Sequence, residues 1–273
     1  MPRSALAALI LGATLLAPNA AFADVSISAA GSTALLPLVK SAADAYQTKH
    51  PEVKISVTGG GSRVGITQVA AKAVDLGDSD ILASKADFPT LVDHKVAVTG
   101  FAVVANPDSG LKGLSKKQIQ DVFSGKVTNW KDVGGKDQKI IVINRPRSSG
   151  TRAVFTQVIM GDVPVNETGL TEDATGTVIS AVKTTPGAVS YASFSGTHNQ
   201  SGIVEFAVDG VAATDANVQS GKYPIWSYEH IFTNGAPSKD VSDFIDFIAG
   251  SKQLVNQLGY IVTSDMKVAE TDR

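Results

Sequence analysis

The stretch Lys139-Ile140-Ile141-Val142-Ile143-Asn144 runs straight into Arg145-Pro146-Arg147-Ser148-Ser149-Gly150-Thr151, and the reading of this stretch decides the fold. The first half is a short apolar run rich in β-branched residues, the composition of a buried strand. The second half is small and polar, broken by Pro and Gly. Beyond it, Val154, Phe155, Val158 and Ile159 recur at helical spacing. A strand therefore feeds a helix through a turn made of hydroxyl residues and glycine.

The same construction occurs on either side. Val25 to Ala29 reads as a strand, followed by Gly31-Ser32-Thr33 and a helix with Leu35, Val39, Ala42, Ala43 and Tyr46 on one face, ending before Pro51. Val53, Ile55 and Val57 alternate as a strand; Gly59-Gly60-Gly61-Ser62 then opens a helix with Ile66, Val69, Ala70 and Ala73. Val74 to Gly77 is a short strand ending in Asp78-Ser79-Asp80. Further helices are expected from Ser115, from Thr175-Gly176-Thr177, around Asp240 to Ala249 and around Gln253 to Leu258, with a strand from Gly187 to Tyr191. Strands alternating with helices predict an α/β fold with largely parallel strands. Two long β-type stretches, Val96 to Ala105 and Tyr223 to Phe232, are expected to cross between two lobes.

The chain has 273 residues, no cysteine and a formal charge of −2. Without Cys there is no disulfide framework, no thiolate metal site and no lipid-modified N-terminal Cys. A slight acidic excess without a basic stripe speaks against nucleic-acid binding. Arg3, the apolar run Leu6 to Ala17 and Ala21-Phe22-Ala23 read as an export signal over residues 1–23, cleaved after Ala23. Its twelve-residue apolar run is short of the roughly 20 residues a membrane span requires.

Each strand–turn–helix junction gathers free backbone N–H groups, a helix N-terminus and a Ser or Thr hydroxyl. Taken singly, these residues are ordinary N-caps. Taken together they converge, because α/β sheets bring strand ends to one edge, and converging helix N-termini form an anion site of neutral donors. Arg145 could add a planar fork to an oxyanion or make a surface salt bridge. Asp80 could cap a turn, or accept a hydrogen bond from an anion that still carries a proton. Arg63 and Arg147 either add positive field or point to solvent. His50, His94, His198 and His230 lack metal-ligand spacing, Trp130 and Trp226 are expected in cores, and neither G-x-x-x-x-G-K-[ST] nor G-x-S-x-G occurs.

At Gly31-Ser32-Thr33-Ala34, Gly61-Ser62, Asp75-Leu76-Gly77-Asp78-Ser79-Asp80 and Arg145-x-x-x-Ser149-Gly150-Thr151 the chain resembles the PstS-type phosphate-binding proteins of bacterial ABC importers. Phe123 to Trp130, Thr185 to Tyr191 and Gly259-Tyr260-Ile261 extend the resemblance along the chain in order. It implies a two-lobe periplasmic-binding-protein fold of type II, with phosphate in the cleft. Lobe one would comprise 24–99 plus 224–273, and lobe two 100–223. Thr33, Ala34, Ser62 and Asp80 would bind phosphate from lobe one; Arg145, Ser149, Gly150 and Thr151 would do so from lobe two. The implied partners are an inner-membrane ABC permease and its cytoplasmic ATPase. The expected protein is a periplasmic monomer, with no catalytic residue, metal or cofactor. Arg147 stands where the family often has a small or acidic residue, and Ser148 where it often has Gly. The alternatives are a receptor for another tetrahedral oxyanion, which Asp80 would disfavour if the anion has no proton to give, and a secreted phosphatase, for which the sequence shows neither base nor metal constellation.

Overall fold

The computed structural model describes residues 25–198 and 200–268. The export signal over 1–23 and the start at Asp24 lie outside the described residues.

The first half alternates as expected. Strand β1 (Val25–Gly31) leads to helix α1 (Leu36–Lys49), β2 (Val53–Thr58) to α2 (Ser62–Ala70), and β3 (Leu76–Ser79) to the long β4 (Leu91–Ala105). Pro37 sits in the first turn of α1, where its missing N–H costs nothing. The helix buries Leu38, Val39, Ala42, Ala43 and Tyr46 and closes at His50, just before Pro51. The second half contains β5 (Gly113–Leu114), α3 (Lys116–Phe123), β6 (Ile141–Asn144), α4 (Gly150–Phe155), β7 (Leu170–Thr171), α5 (Thr175–Thr184) and β8 (Ala188–Ser193). After these come α6 (Phe194–Thr197), β9 (Val204–Glu205), β10 (Ala207–Val208), α7 (Asp215–Gln219), β11 (Trp226–Asn234), α8 (Lys239–Gly250) and α9 (Lys252–Gln257). A π-helical turn over Thr156–Met160 extends α4.

The main sheet has the order β2-β1-β3-β11-β4-β8-β6-β7, with β9 also on β4, while β10 and β5 form a separate parallel pair. Strands β1, β2 and β3 are mutually parallel, and so are β6, β7 and β8. The expectation of largely parallel strands is corrected at the middle, where β11 runs antiparallel to β3 and β4, and β4 antiparallel to β8 and β9. The reason is connectivity: the chain runs out along β4 and returns along β11, and a neighbouring return strand is antiparallel.

Packing divides along β4. Val96 and Ala97 belong to a core with Ile27, Leu38, Ile231 and Phe244. Val98 and Phe101 to Ala105 belong to another, with Phe123, Trp130, Phe155 and Tyr191. Burying a side chain of this size is worth about 1.5–3 kcal/mol, so each core stabilises its own half. Trp130 and Trp226 are both core residues, as the sequence implied. Among the described residues no helix is long and apolar enough to cross a membrane.

Candidate functional site

The C-terminal ends of β1, β3 and β6 meet at one edge, as strand ends do in an α/β sheet. Gly31 ends β1 beside Asp78, with φ at +143°; a Cβ there would fall 2.0 Å from the Asp78 carbonyl oxygen, so the close strand approach requires glycine. The Ser32 Oγ then accepts from the N–H groups of Ala34 at 3.0 Å and Leu35 at 3.1 Å, turning the chain into α1. Ser62 opens α2, and its Oγ accepts from the Asp80 N–H at 2.9 Å. Ser149 caps α4 by accepting from the Arg152 N–H at 3.2 Å.

These turns bring together all eight residues singled out by sequence. Thr33, Ala34, Ser62, Asp80, Arg145, Ser149, Gly150 and Thr151 are all buried. The Arg145 Nη2 donates to Thr33 Oγ1 at 3.0 Å and to the Asp173 carbonyl at 3.1 Å. Thr151 Oγ1 donates to Asp80 Oδ2 at 2.9 Å, and the Ser32 hydroxyl donates to Asp80 Oδ1. The two halves press together at Gly150, where an added Cβ would lie 2.0 Å from Ser62 Oγ. They are also joined by the Arg63 N–H, which donates to the Ser148 carbonyl at 3.1 Å.

Several donors in this cluster remain uncommitted. Thr33, Ser62 and Ser149 each accept a hydrogen bond, which leaves their own O–H hydrogens to donate. Arg145 is 1% exposed, yet its Nε and Nη1 have no hydrogen-bond partner. A guanidinium fork with two buried unpaired nitrogens is costly unless something anionic completes it. Burial pulls the Arg145 pKa below its ordinary value, and the charges of Asp80, Tyr191 and Asp173 oppose that pull.

Arg147 takes no part in the cluster. Its side chain is 85% exposed and lies 3.4 Å from Glu167. Arg145 is steadied from another side. Arg152 donates to the Arg145 carbonyl at 2.6 Å and is itself held by Glu167 at 2.5 Å. Arg63 is exposed too, and with Arg147 and Arg152 it lines an open groove of about 1160 Å³ outside the buried cluster.

Comparison with known proteins places the chain in a family. The family model described as "PBP superfamily domain" matches residues 17–265. The phosphate-binding protein PstS of Bacillus subtilis is 41% identical over 252 residues, covering 90% of this chain and 83% of that protein. The chain belongs to the PstS phosphate-binding family. Among solved structures of the family's fold, a phosphate ABC transporter substrate-binding protein from Clostridium perfringens, with bound phosphate, superposes with a TM-score of 0.81 at 29% identity. It covers 87% of this chain and 99% of its own. An ABC-type phosphate transport receptor from Vibrio cholerae gives 0.71 at 27% identity, covering 86% of this chain and 99% of its own.

Four residues at this PstS-type site were not among the sequence candidates. Ser32 stands inside the first turn and donates to Asp80. The Thr175 N–H donates to Thr33 Oγ1 at 3.3 Å, while the buried Thr175 Oγ1 has no partner; the turn Thr175-Gly176-Thr177 was its signal. Asp78 and Glu229 are each 0% exposed, and none of their carboxyl oxygens meets a hydrogen-bond donor. Burial, and then the charge of Asp80, raises both carboxyl pKa values well above the ordinary range. Burial raises Asp80 as well, and the Ser32 and Thr151 hydroxyls, Arg145 and Glu229 offset that only in part.

Proposed function

We propose that this protein is an exported receptor that captures inorganic phosphate and hands it to an ABC importer, made of a membrane permease and its ATPase. The observation that carries this is the buried Arg145 fork. Its Nε and Nη1 are unpartnered, with the donor-ready hydroxyls of Thr33, Ser62 and Ser149 gathered around the same junction. Such a constellation suits one small dehydrated oxyanion. Asp80 makes it selective: an ionised carboxylate accepts from a protonated phosphate, whereas sulfate offers only acceptors.

On this reading Thr33, Ala34, Ser62 and Asp80 bind from one lobe (24–99 plus 224–273). Arg145, Ser149, Gly150 and Thr151 bind from the other (100–223). The change of core between Ala97 and Val98, within two residues of the proposed boundary, supports that division. The protein works as a monomer in the periplasm, after cleavage behind Ala23, and binds no nucleic acid. It performs no chemistry on its ligand. Among the described residues the hydrogen bonds of His94, His198 and His230 go elsewhere, and Asp80, the carboxylate that takes the Ser32 and Thr151 hydroxyls, is assigned to reading the ligand's proton.

The test is thermal. A ligand that binds only the folded protein, at about 100 times its Kd, adds about 2.7 kcal/mol of stability. The melting midpoint of phosphate-free protein should rise with phosphate and stay put with chloride at equal ionic strength. An unchanged midpoint would refute the receptor.

A further inference from the structure

Behind the anion site lies a carboxyl group that the binding scheme does not use. Strand β11 is antiparallel to β3 with His230 opposite Ser79, the last residue of β3; Glu229 is the next residue along β11, and Asp80 directly follows β3. The flanking residues look the other way: Lys95 lies over the Tyr228 ring, and His230 pairs with Asp93 at 2.8 Å. Glu229 is fully buried, and its carboxyl engages that of Asp80 side chain to side chain. The titratable groups that face it are Asp80 and Asp78 from the β3 side and Tyr260 from the segment after α9. Tyr260 gives its hydroxyl hydrogen to the Ala34 carbonyl.

Two carboxyl groups in contact, one of them without any donor, share a proton, because two bare carboxylates side by side in a dry interior repel. Geometry says which of the two keeps it. Asp80 receives hydroxyls from Ser32 and Thr151 and faces Arg145, all of which favour its ionised form. Glu229 has no such support. An ionised carboxylate offers roughly four lone-pair sites. Ser32 and Thr151 take two of those on Asp80, one on each oxygen. One remains for Glu229 and one for the ligand.

We infer that Glu229 is a positioning residue for the anion site: its carboxyl keeps a proton and donates it to Asp80, which fixes Asp80 as an acceptor toward the ligand. The inference rests on the phosphate reading of that site. Its consequence is selectivity. Were Glu229 ionised, Asp80 would have to carry the proton itself. It would then donate as well as accept, and sulfate would no longer be refused.

The experiment uses the whole mature protein, labelled with ¹³C at the glutamate carboxyls and freed of phosphate. At pH 7 one resonance should sit at the neutral-acid position, and it should vanish in Glu229→Gln. A spectrum with every glutamate ionised at that pH overturns the inference. Titrations with phosphate and sulfate supply the second readout. Glu229→Leu should lower the phosphate-to-sulfate preference roughly tenfold, the worth of one charge-assisted hydrogen bond. Glu229→Gln should restore it, because the amide still donates. A Gln variant as unselective as the Leu variant would also overturn the inference. A neutral Glu229 in a wild-type protein that does not prefer phosphate would instead refute the reading of the site and leave the protonation standing.

Discussion

Arg145 and Arg147 stand two residues apart on one turn and meet opposite fates. Arg145 follows the last residue of β6 and is buried, so its guanidinium is desolvated beside Asp80. Arg147 follows Pro146 onto the outside of the turn and pairs loosely with Glu167 in water, where such pairs are worth little. Truncation should separate them sharply. Arg145→Ala is expected to cost roughly 2–5 kcal/mol of phosphate binding, the range for removing one partner of a buried charged contact. Arg147→Ala should change affinity by no more than about threefold, in keeping with an exposed ion pair. Calorimetric titration of both variants decides this, and an Arg147→Ala variant weaker than Arg145→Ala would mean that the wrong arginine has been assigned to the site.

Among the elements, α6, β9 and α7 are tied together by one histidine. His198 follows α6 and meets Glu205 of β9 at 3.0 Å through Nδ1 and Asp215 of α7 at 3.4 Å through Nε2. Burial disfavours the imidazolium, but the hydrogen bonds and charges of Asp215 and Glu205 outweigh it and raise the pKa to about 9. The folded value lies above that of the unfolded chain. The stabilisation is therefore complete below about pH 6.5 and is lost as pH rises through the folded value. The buried carboxyls of Asp78 and Glu229, raised in the fold, also lower stability with rising pH, but from about pH 4 upward. His198→Asn should be less stable than wild type at pH 6 and should lose less between pH 6.5 and 9. The readout is Tm against pH, where each kcal/mol is worth about 2–4 °C at this chain length. Parallel curves for the two proteins would remove His198 from the account.

The elements also show what could be read in advance. The alternation of strands and helices and the hydroxyl-rich junctions were legible, because period and turn chemistry are local signals. Strand direction at the middle of the sheet was not, since pairing of β4 with β11 joins residues far apart in the chain. The π-helical turn at Thr156–Met160 follows α4 directly, and because Val158 and Ile159 continue the apolar pattern of Val154 and Phe155 the sequence reads as one α-helix there. All eight candidate residues came together because each sits on a junction. Ser32 and Thr175 sit on junctions too, and were passed over because a hydroxyl at a helix start reads first as a cap. Glu229 is the instructive omission. A single acid inside Trp226-Ser227-Tyr228-Glu229-His230-Ile231-Phe232 is the kind of buried charge that calls for a partner, and the partner stands about 150 residues away in sequence.

At the scale of the whole molecule, two cores are joined through β4 and β11 and meet again at the site. Thr151 bonds to Asp80, Arg145 to Thr33, the Thr175 N–H to Thr33, and the Ser195 hydroxyl to the Ala34 carbonyl at 3.2 Å. These contacts run from one half to the other, most of them through the residues proposed to hold the anion. The same dryness that strengthens Arg145 toward a ligand makes Asp80 intolerant of an anion with no proton to offer. The central claim is therefore a preference, and the most direct measurement is calorimetric titration of the mature, phosphate-free protein with phosphate and with sulfate at neutral pH and fixed ionic strength. The account predicts saturable one-to-one binding of phosphate and a penalty of several kcal/mol against sulfate, the cost of like charges and unpaired groups in a closed site. Equal affinity for the two anions, or heat from neither, would contradict it.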